Sequence, residues 1–190
     1  LKTSRLLGLI AGVLLVVNTS SATGENRSAD MPTRGHVLMI RHAVAPGSGD
    51  PEHFRIGDCT TQRNLNDYGR TQARAIGLWL RTKGVQSARV YSSQWCRCIE
   101  TAEQMNLGPV EELPALNSFY ERPQDREPNI TALRGFLARQ SVEGSLIVLV
   151  THFVTIAEVT GFGVSSGEGV LLKLEENGEL ATIQRLDFRP

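Results

Sequence analysis

Two arginines and two histidines stand at the ends of apolar runs, far apart along the chain. Leu38-Met39-Ile40 leads straight into Arg41-His42, and Leu146 to Val150 leads into Thr151-His152. Arg89 to Ser92 is followed, after a short polar step, by Trp95-Cys96-Arg97-Cys98. A short buried strand that ends in a polar group carries that group to the carboxyl edge of a sheet, where open α/β folds bind ligands. Two guanidinium groups and two imidazoles gathered at such an edge suit the chemistry of a phosphoryl group. Arginine's planar fork pairs bidentately with phosphate oxygens, and fixed cations stabilise the charge around a transferring group. A neutral imidazole nitrogen can attack phosphorus, while a carboxylic acid can protonate the departing oxygen.

Those groups need strands and helices to hold them. His36 to Arg41 reads as a first strand. Residues 43 to 64 carry Pro46, Gly47, Gly49, Pro51 and Gly57 without sustained periodicity, so they read as a long loop, a feature usually tied to function. A helix follows, with Asn66 as its N-cap and Gly84 as its stop. Arg89 to Ser92 reads as a second strand, Trp95 to Met105 as a second helix, and Pro109 to Leu113 as a short strand. Ile130 to Arg139 is an amphipathic helix. Ser145 to Val150 is a buried central strand, and Phe153 to Thr160 a short helix closed by Gly161. The chain ends in a hairpin, Gly169 to Glu175 and Glu179 to Phe188 around a two-residue Asn177-Gly178 turn. This alternation predicts a three-layer α/β/α sandwich on a mostly parallel mixed sheet with an antiparallel edge.

The 190 residues are 41% apolar and 21% charged, ordinary material for one globular domain. A formal net charge of zero argues against a nucleic-acid partner. Lys2 and Arg5, the apolar run Leu6 to Val17, and the small residues Ser20-Ser21-Ala22 have the layout of a signal peptide over residues 1–22. That run is shorter than a membrane span, so no stable span is expected after cleavage. Residues 23–34 read as a linker and 35–190 as the domain. Removing residues 1–22 would leave a net charge of −2 and a periplasmic or secreted protein. In an oxidising compartment Cys59 can pair with Cys96 or with Cys98, whereas Cys96 and Cys98 lie too close in sequence to bridge without strain. Their spacing does not suit zinc.

The motifs together resemble the histidine phosphatase superfamily, the phosphoglycerate-mutase-like fold, over roughly residues 35 to 188. Arg41-His42-Ala43 is similar to the family's Arg-His-Gly signature, with alanine in place of glycine. Leu65-Asn66-Asp67-Tyr68-Gly69-Arg70-Thr71-Gln72-Ala73 is similar to its Leu-Thr-x-x-Gly-x-x-Gln-Ala helix start. Tyr91-Ser92-Ser93 with Arg97-Cys98-Ile99-Glu100-Thr101-Ala102 resembles its second arginine motif, and Val150-Thr151-His152 its second histidine motif. The resemblance implies a phosphatase in which His42 becomes phosphohistidine while Arg41, Arg97 and His152 complete the phosphate pocket. It implies no metal or organic cofactor and a small-molecule or glycan phosphate monoester as substrate. The signal segment points to the exported branch, which includes lipopolysaccharide core heptose phosphate phosphatases.

The proton donor departs from the family pattern. Leu116-Asn117 is followed by Ser118 where the mutase-like branch has glutamate, and His152 is followed by Phe153 where the acid phosphatase branch has aspartate. Glu121, Glu168 and Asp58 are the candidates. Arg55, Arg63 and Phe54 of the long loop are candidate substrate contacts. The missing standard acid leaves open a noncatalytic phospholigand-binding domain; a phosphomutase is a third reading, against which an exported location weighs.

Overall fold

The computed structural model describes residues 30–188. The expected signal segment (1–22) and residues 23–29 of the expected linker lie outside the described residues. The last linker residues are already packed: Met31 is buried, and its amide donates to the Lys83 carbonyl at 3.0 Å.

Six strands form one sheet: β1 (His36–Arg41), β2 (Arg89–Ser92), β3 (Val110–Glu112), β4 (Ile147–Thr151), β5 (Gly169–Leu174) and β6 (Leu180–Leu186), in the order β3-β2-β4-β1-β5-β6. The β3-β2, β2-β4 and β4-β1 pairs are parallel; β1-β5 and β5-β6 are antiparallel. Four helices, α1 (Asp67–Thr82), α2 (Cys96–Met105), α3 (Arg126–Leu137) and α4 (Phe153–Thr160), cover the sheet. The strand pleat sends alternate residues to opposite faces. Leu38 and Ile40 of β1 and Val148 and Val150 of β4 meet Ile76 and Leu80 of α1 and Ala102 and Met105 of α2. Val37, Met39, Ile147 and Leu149 meet Leu133 and Leu137 of α3 and Ile156 of α4 on the other face. The expected three-layer sandwich is therefore the observed one.

Local chemistry explains the helices that serve the site. Asn66 caps α1 by accepting from the Gly69 amide at 2.8 Å. A side chain at Gly77 would meet the Met105 carbonyl at 2.0 Å, so glycine there lets α1 lie close on the end of α2. Two expectations need correction. Helix α3 starts at Arg126, four residues before the expected Ile130, because Pro128 falls in the first turn, where no amide is needed. The terminal hairpin turns through three residues, 176–178, since the Glu175 amide donates to the Glu179 carbonyl. Gly178 is left-handed at φ 80 and Asn177 is not, which fits a three-residue loop rather than the expected two-residue turn.

Candidate active site

The carboxyl ends of β2, β4 and β1 lie side by side, and each hands over to a polar residue. Arg41 pairs with Thr151 in register, the His42 amide donates to the Thr151 carbonyl at 3.0 Å, and the Ser93 amide donates to the Val150 carbonyl at 2.9 Å. Side chains of the two flanking helices pin the chain beyond β1. The Ala43 amide donates to Thr101 Oγ1 at 3.0 Å, and that hydroxyl donates to the Arg97 carbonyl at 2.6 Å. Gln72 accepts from the Val44 amide at 3.0 Å and donates to the Ser166 carbonyl at 2.9 Å. These bonds give the Gly-x-x-Gln and Arg-x-x-x-Thr spacings a mechanical purpose. Ala43 is buried outside the left-handed region, so alanine fits there as expected.

His42, Arg97 and His152 are buried together, and the two imidazoles stand 5.5 Å apart at an interplanar angle of 67°. His42 Nδ1 lies 2.8 Å from the Ala43 carbonyl, which can only accept. The proton is therefore on Nδ1, and Nε2 carries the lone pair. Arg97 Nε donates to that lone pair at 3.2 Å. Burial, then the neighbouring Arg97 charge, lowers the His42 pKa to about 3, so the ring is neutral near pH 7. Burial and the adjoining His42, Arg97, Arg41 and Arg63 hold His152 well below its ordinary value. Its Nε2 lies 2.9 Å from Ser93 Oγ, which fixes the ring. Arg41 donates to the Val164 carbonyl at 3.0 Å, but its Nε is buried without a partner. A buried, unmet guanidinium donor among crowded cations is a place for an anion.

The long loop supplies a residue that the sequence reading missed. Asp50 accepts from Arg97 Nη1 at 2.7 Å and Nη2 at 3.0 Å, from Trp95 Nε1 at 2.9 Å and from the Arg63 amide at 3.1 Å. Burial alone would raise its pKa, yet the Arg97, Trp95 and Arg63 bonds outweigh that and hold it low. Asp50 thus fills the two-nitrogen end of the guanidinium and leaves the Nε edge facing His42. Arg63 donates through Nε to the Gly49 carbonyl at 2.7 Å and through Nη1 to the Ala45 carbonyl, folding the loop over the site. Burial and then Arg97 lower the Arg63 and Arg41 pKa values, the mark of cations crowded together. The Cys59–Cys96 disulfide ties this loop to the residue before Arg97, which resolves the two open pairings and leaves Cys98 free and buried.

A cavity of about 430 Å³ opens above these groups, lined by Arg41, His42, Arg63, Arg97 and His152 and walled by Phe54, Trp95, Tyr120, Glu121 and Phe153 among others. Of the candidate acids, Glu121 lines it and accepts from the Asp50 amide at 3.2 Å. Glu168 does not: its carboxylate accepts from the Ser165 amide at 2.8 Å and pairs with Arg185. Burial would raise its pKa, but those two partners outweigh it and keep it ionised, so its expected place as an acid beside His42 is corrected. Asp58 is spent on capping a short turn, bonded to Thr60 and paired with the exposed Arg55, away from the cavity. Of the expected loop contacts, Phe54 and Arg63 line the cavity and Arg55 does not. Among the described residues no cluster of three metal-ligating side chains is gathered.

Residues 37–123 match the family model of the histidine phosphatase superfamily (branch 1). The superfamily resemblance read from the motifs is borne out. The chain is 34% identical over 68 residues to the mitochondrial serine/threonine-protein phosphatase Pgam5 of Drosophila virilis, spanning only about a fifth (21%) of that protein's length. Among solved structures, it is similar to the protein histidine phosphatase SixA complexed with tungstate, at 20% identity and a TM-score of 0.60, over 80% of this chain and 97% of that one. It is also similar to a putative alpha-ribazole-5'-P phosphatase from Escherichia coli K-12, at 18% identity and a TM-score of 0.57, over 82% of this chain and 97% of that one. At such identities the structural likeness concerns the fold.

Proposed function

We propose that this chain, a histidine phosphatase superfamily protein by its sequence pattern and fold, is an exported phosphomonoesterase acting through phosphohistidine. One observation carries the reading: the His42 Nε2 lone pair and the unmet Arg41 Nε share a buried cationic cup. A phosphate dianion entering the cup takes the Arg41 Nε donor, the Nε edge of Arg97 and the His152 ring as its partners. Arg97 then turns from His42 Nε2 to a phosphate oxygen, which frees the lone pair to attack. The P–N bond forms as the P–O ester bond breaks. Glu121, at the cavity wall, gives its proton to the departing oxygen. Water next attacks phosphorus and yields its proton to the Glu121 carboxylate, and P–N cleavage restores neutral His42. The substrate is a small-molecule or glycan phosphate monoester. The charged, then apolar, amino-terminal segment and the Cys59–Cys96 disulfide both support export.

Rapid quenching during turnover tests the mechanism. Acid-labile, alkali-stable phosphate on His42 is the expected result, together with loss of turnover in His42→Ala. Full activity in that variant removes the reading. For the acid, Glu121→Gln is expected to slow esters of alkyl alcohols by about 10²-fold or more while sparing esters of acidic phenols, since general acid help matters most for poor leaving groups.

A further inference from the structure

The anion cup is bracketed by aromatic rings on two sides. On one side the Trp95 ring stands 5.2 Å from the His152 ring, and Phe54 stacks on Trp95 at 4.9 Å and 24°. On the other, the Phe153 ring lies 5.2 Å from the Arg41 guanidinium carbon, and Tyr120 meets Phe153 edge-on at 5.5 Å. Arg122 lies over the Trp95 side, its guanidinium carbon 5.7 Å from the Phe54 ring. All of these rings belong to residues that line the cavity. The inner wall is closed, with Trp95 5% exposed, but the outer wall is open: Tyr120 is 58% exposed and Phe153 37%. Two adjacent large aromatics exposed beside a buried cationic floor gain apolar burial from an occupant of the cavity. The cavity is at the small end for ligand sites, suited to a single ring beyond the phosphate.

We propose that the leaving group of the preferred ester carries an aromatic ring close to the ester oxygen, and that Tyr120 and Phe153 receive this ring opposite Trp95 and Phe54. This rests on the phosphomonoesterase reading for its orientation, phosphate down and ring outward. A flat ring suits the slot because four aromatic side chains line it, and aromatic rings pack favourably on one another's faces and edges.

Benzyl phosphate and ethyl phosphate test it, since their alcohols are of similar acidity and the chemical step differs little between them. The expected kcat/KM is about tenfold higher for benzyl phosphate, the worth of one or two good ring contacts. Tyr120→Ala is expected to cut that preference to about threefold or less. Equal kcat/KM for the two esters overturns the proposal. So does an equal rate for cyclohexylmethyl phosphate and benzyl phosphate, which would mean bulk alone is sensed. Calorimetry with benzylphosphonate and ethylphosphonate separates this proposal from the reading beneath it. A tenfold binding preference without turnover of any ester sinks the phosphatase reading and upholds the slot, whereas turnover with no binding preference does the reverse.

Discussion

Arg97 has more to do than a lone phosphate-binding arginine, because its guanidinium is shared among three partners. Asp50 takes both terminal nitrogens, the Arg63 carbonyl accepts at 3.3 Å, and Nε reaches His42. A flexible side chain pinned at one edge has its other edge aimed, and here the aimed edge faces the nucleophile. Asp50→Asn is expected to lower kcat/KM by about 10²-fold, the order of loss that a small misplacement of a positioned group brings. Adding Arg97→Lys to it should cost little more than Arg97→Lys alone, since contacting groups are not additive; full additivity in that double-variant cycle would refute the positioning role. Asp50 was illegible in the sequence for a physical reason. It sits in Gly47-Ser48-Gly49-Asp50-Pro51, with no periodic flank to place it, and its partner is 47 residues away. Arg41, His42 and His152 were legible because each ends an apolar strand, and strand ends of a parallel sheet converge. Glu121 and Glu168 could not be ranked without knowing that Arg185 lies across the hairpin from one of them.

The loop between β1 and α1 behaves as a covering element held at several points. Cys59 is bonded to Cys96, Gln62 accepts from the Cys96 amide at 2.9 Å, and Arg63 ties the loop to itself. The bridged cysteine directly precedes Arg97, so covalent restraint and guanidinium aim are coupled through one turn of α2. With a sequence separation of 37, chain entropy assigns this crosslink about 4 kcal/mol of stability. Cys59→Ser is therefore expected to lower unfolding free energy by about 3–4 kcal/mol in urea, and to lower kcat at temperatures where the protein stays folded. An unchanged kcat would separate the loop's anchoring from Arg97's aim. Cys98 does not complicate the experiment, since burial pushes its thiol up to about 12. The regular elements were readable because their periodicity and caps are local, as Asn66 and Gly161 show. The disulfide partner was not, because Cys96 and Cys98 are two residues apart, and only the direction each takes from the start of α2 decides between them.

At the scale of the whole molecule, folding buries a cationic cluster that must remain without extra protons. Arg41, Arg63 and Arg97 surround two neutral histidines, and Asp50 makes a direct ion pair with Arg97 within the cup. This fixes a pH dependence whose sign follows from linkage. The native His42 pKa is depressed to about 3 and that of His152 is also far below its ordinary value, while in the unfolded chain both titrate near 6.5. Below about pH 6.5 the unfolded state thus binds protons that the native state refuses, and stability falls as pH falls. Each such histidine contributes a slope of up to about 1.4 kcal/mol per pH unit, so the pair contributes up to about 2.7. Asp50 acts in the same direction, since its native pKa is also depressed, but only below its unfolded value near 4. Glu158 and Glu168, whose native pKa values are also lowered, join only below about pH 5, so the interval from about pH 6 to pH 5 belongs mainly to the histidines. Urea unfolding across that interval should show the steep loss, and His42→Asn, which cannot titrate, should flatten it by about 1.4 kcal/mol per pH unit. Saturating phosphate should raise stability at every pH by binding the native state alone, about 2.7 kcal/mol at a hundredfold excess over Kd. A wild-type slope equal to that of His42→Asn would mean that native His42 takes up its proton as readily as the unfolded chain does, which would refute the burial among cations that keeps its ring neutral.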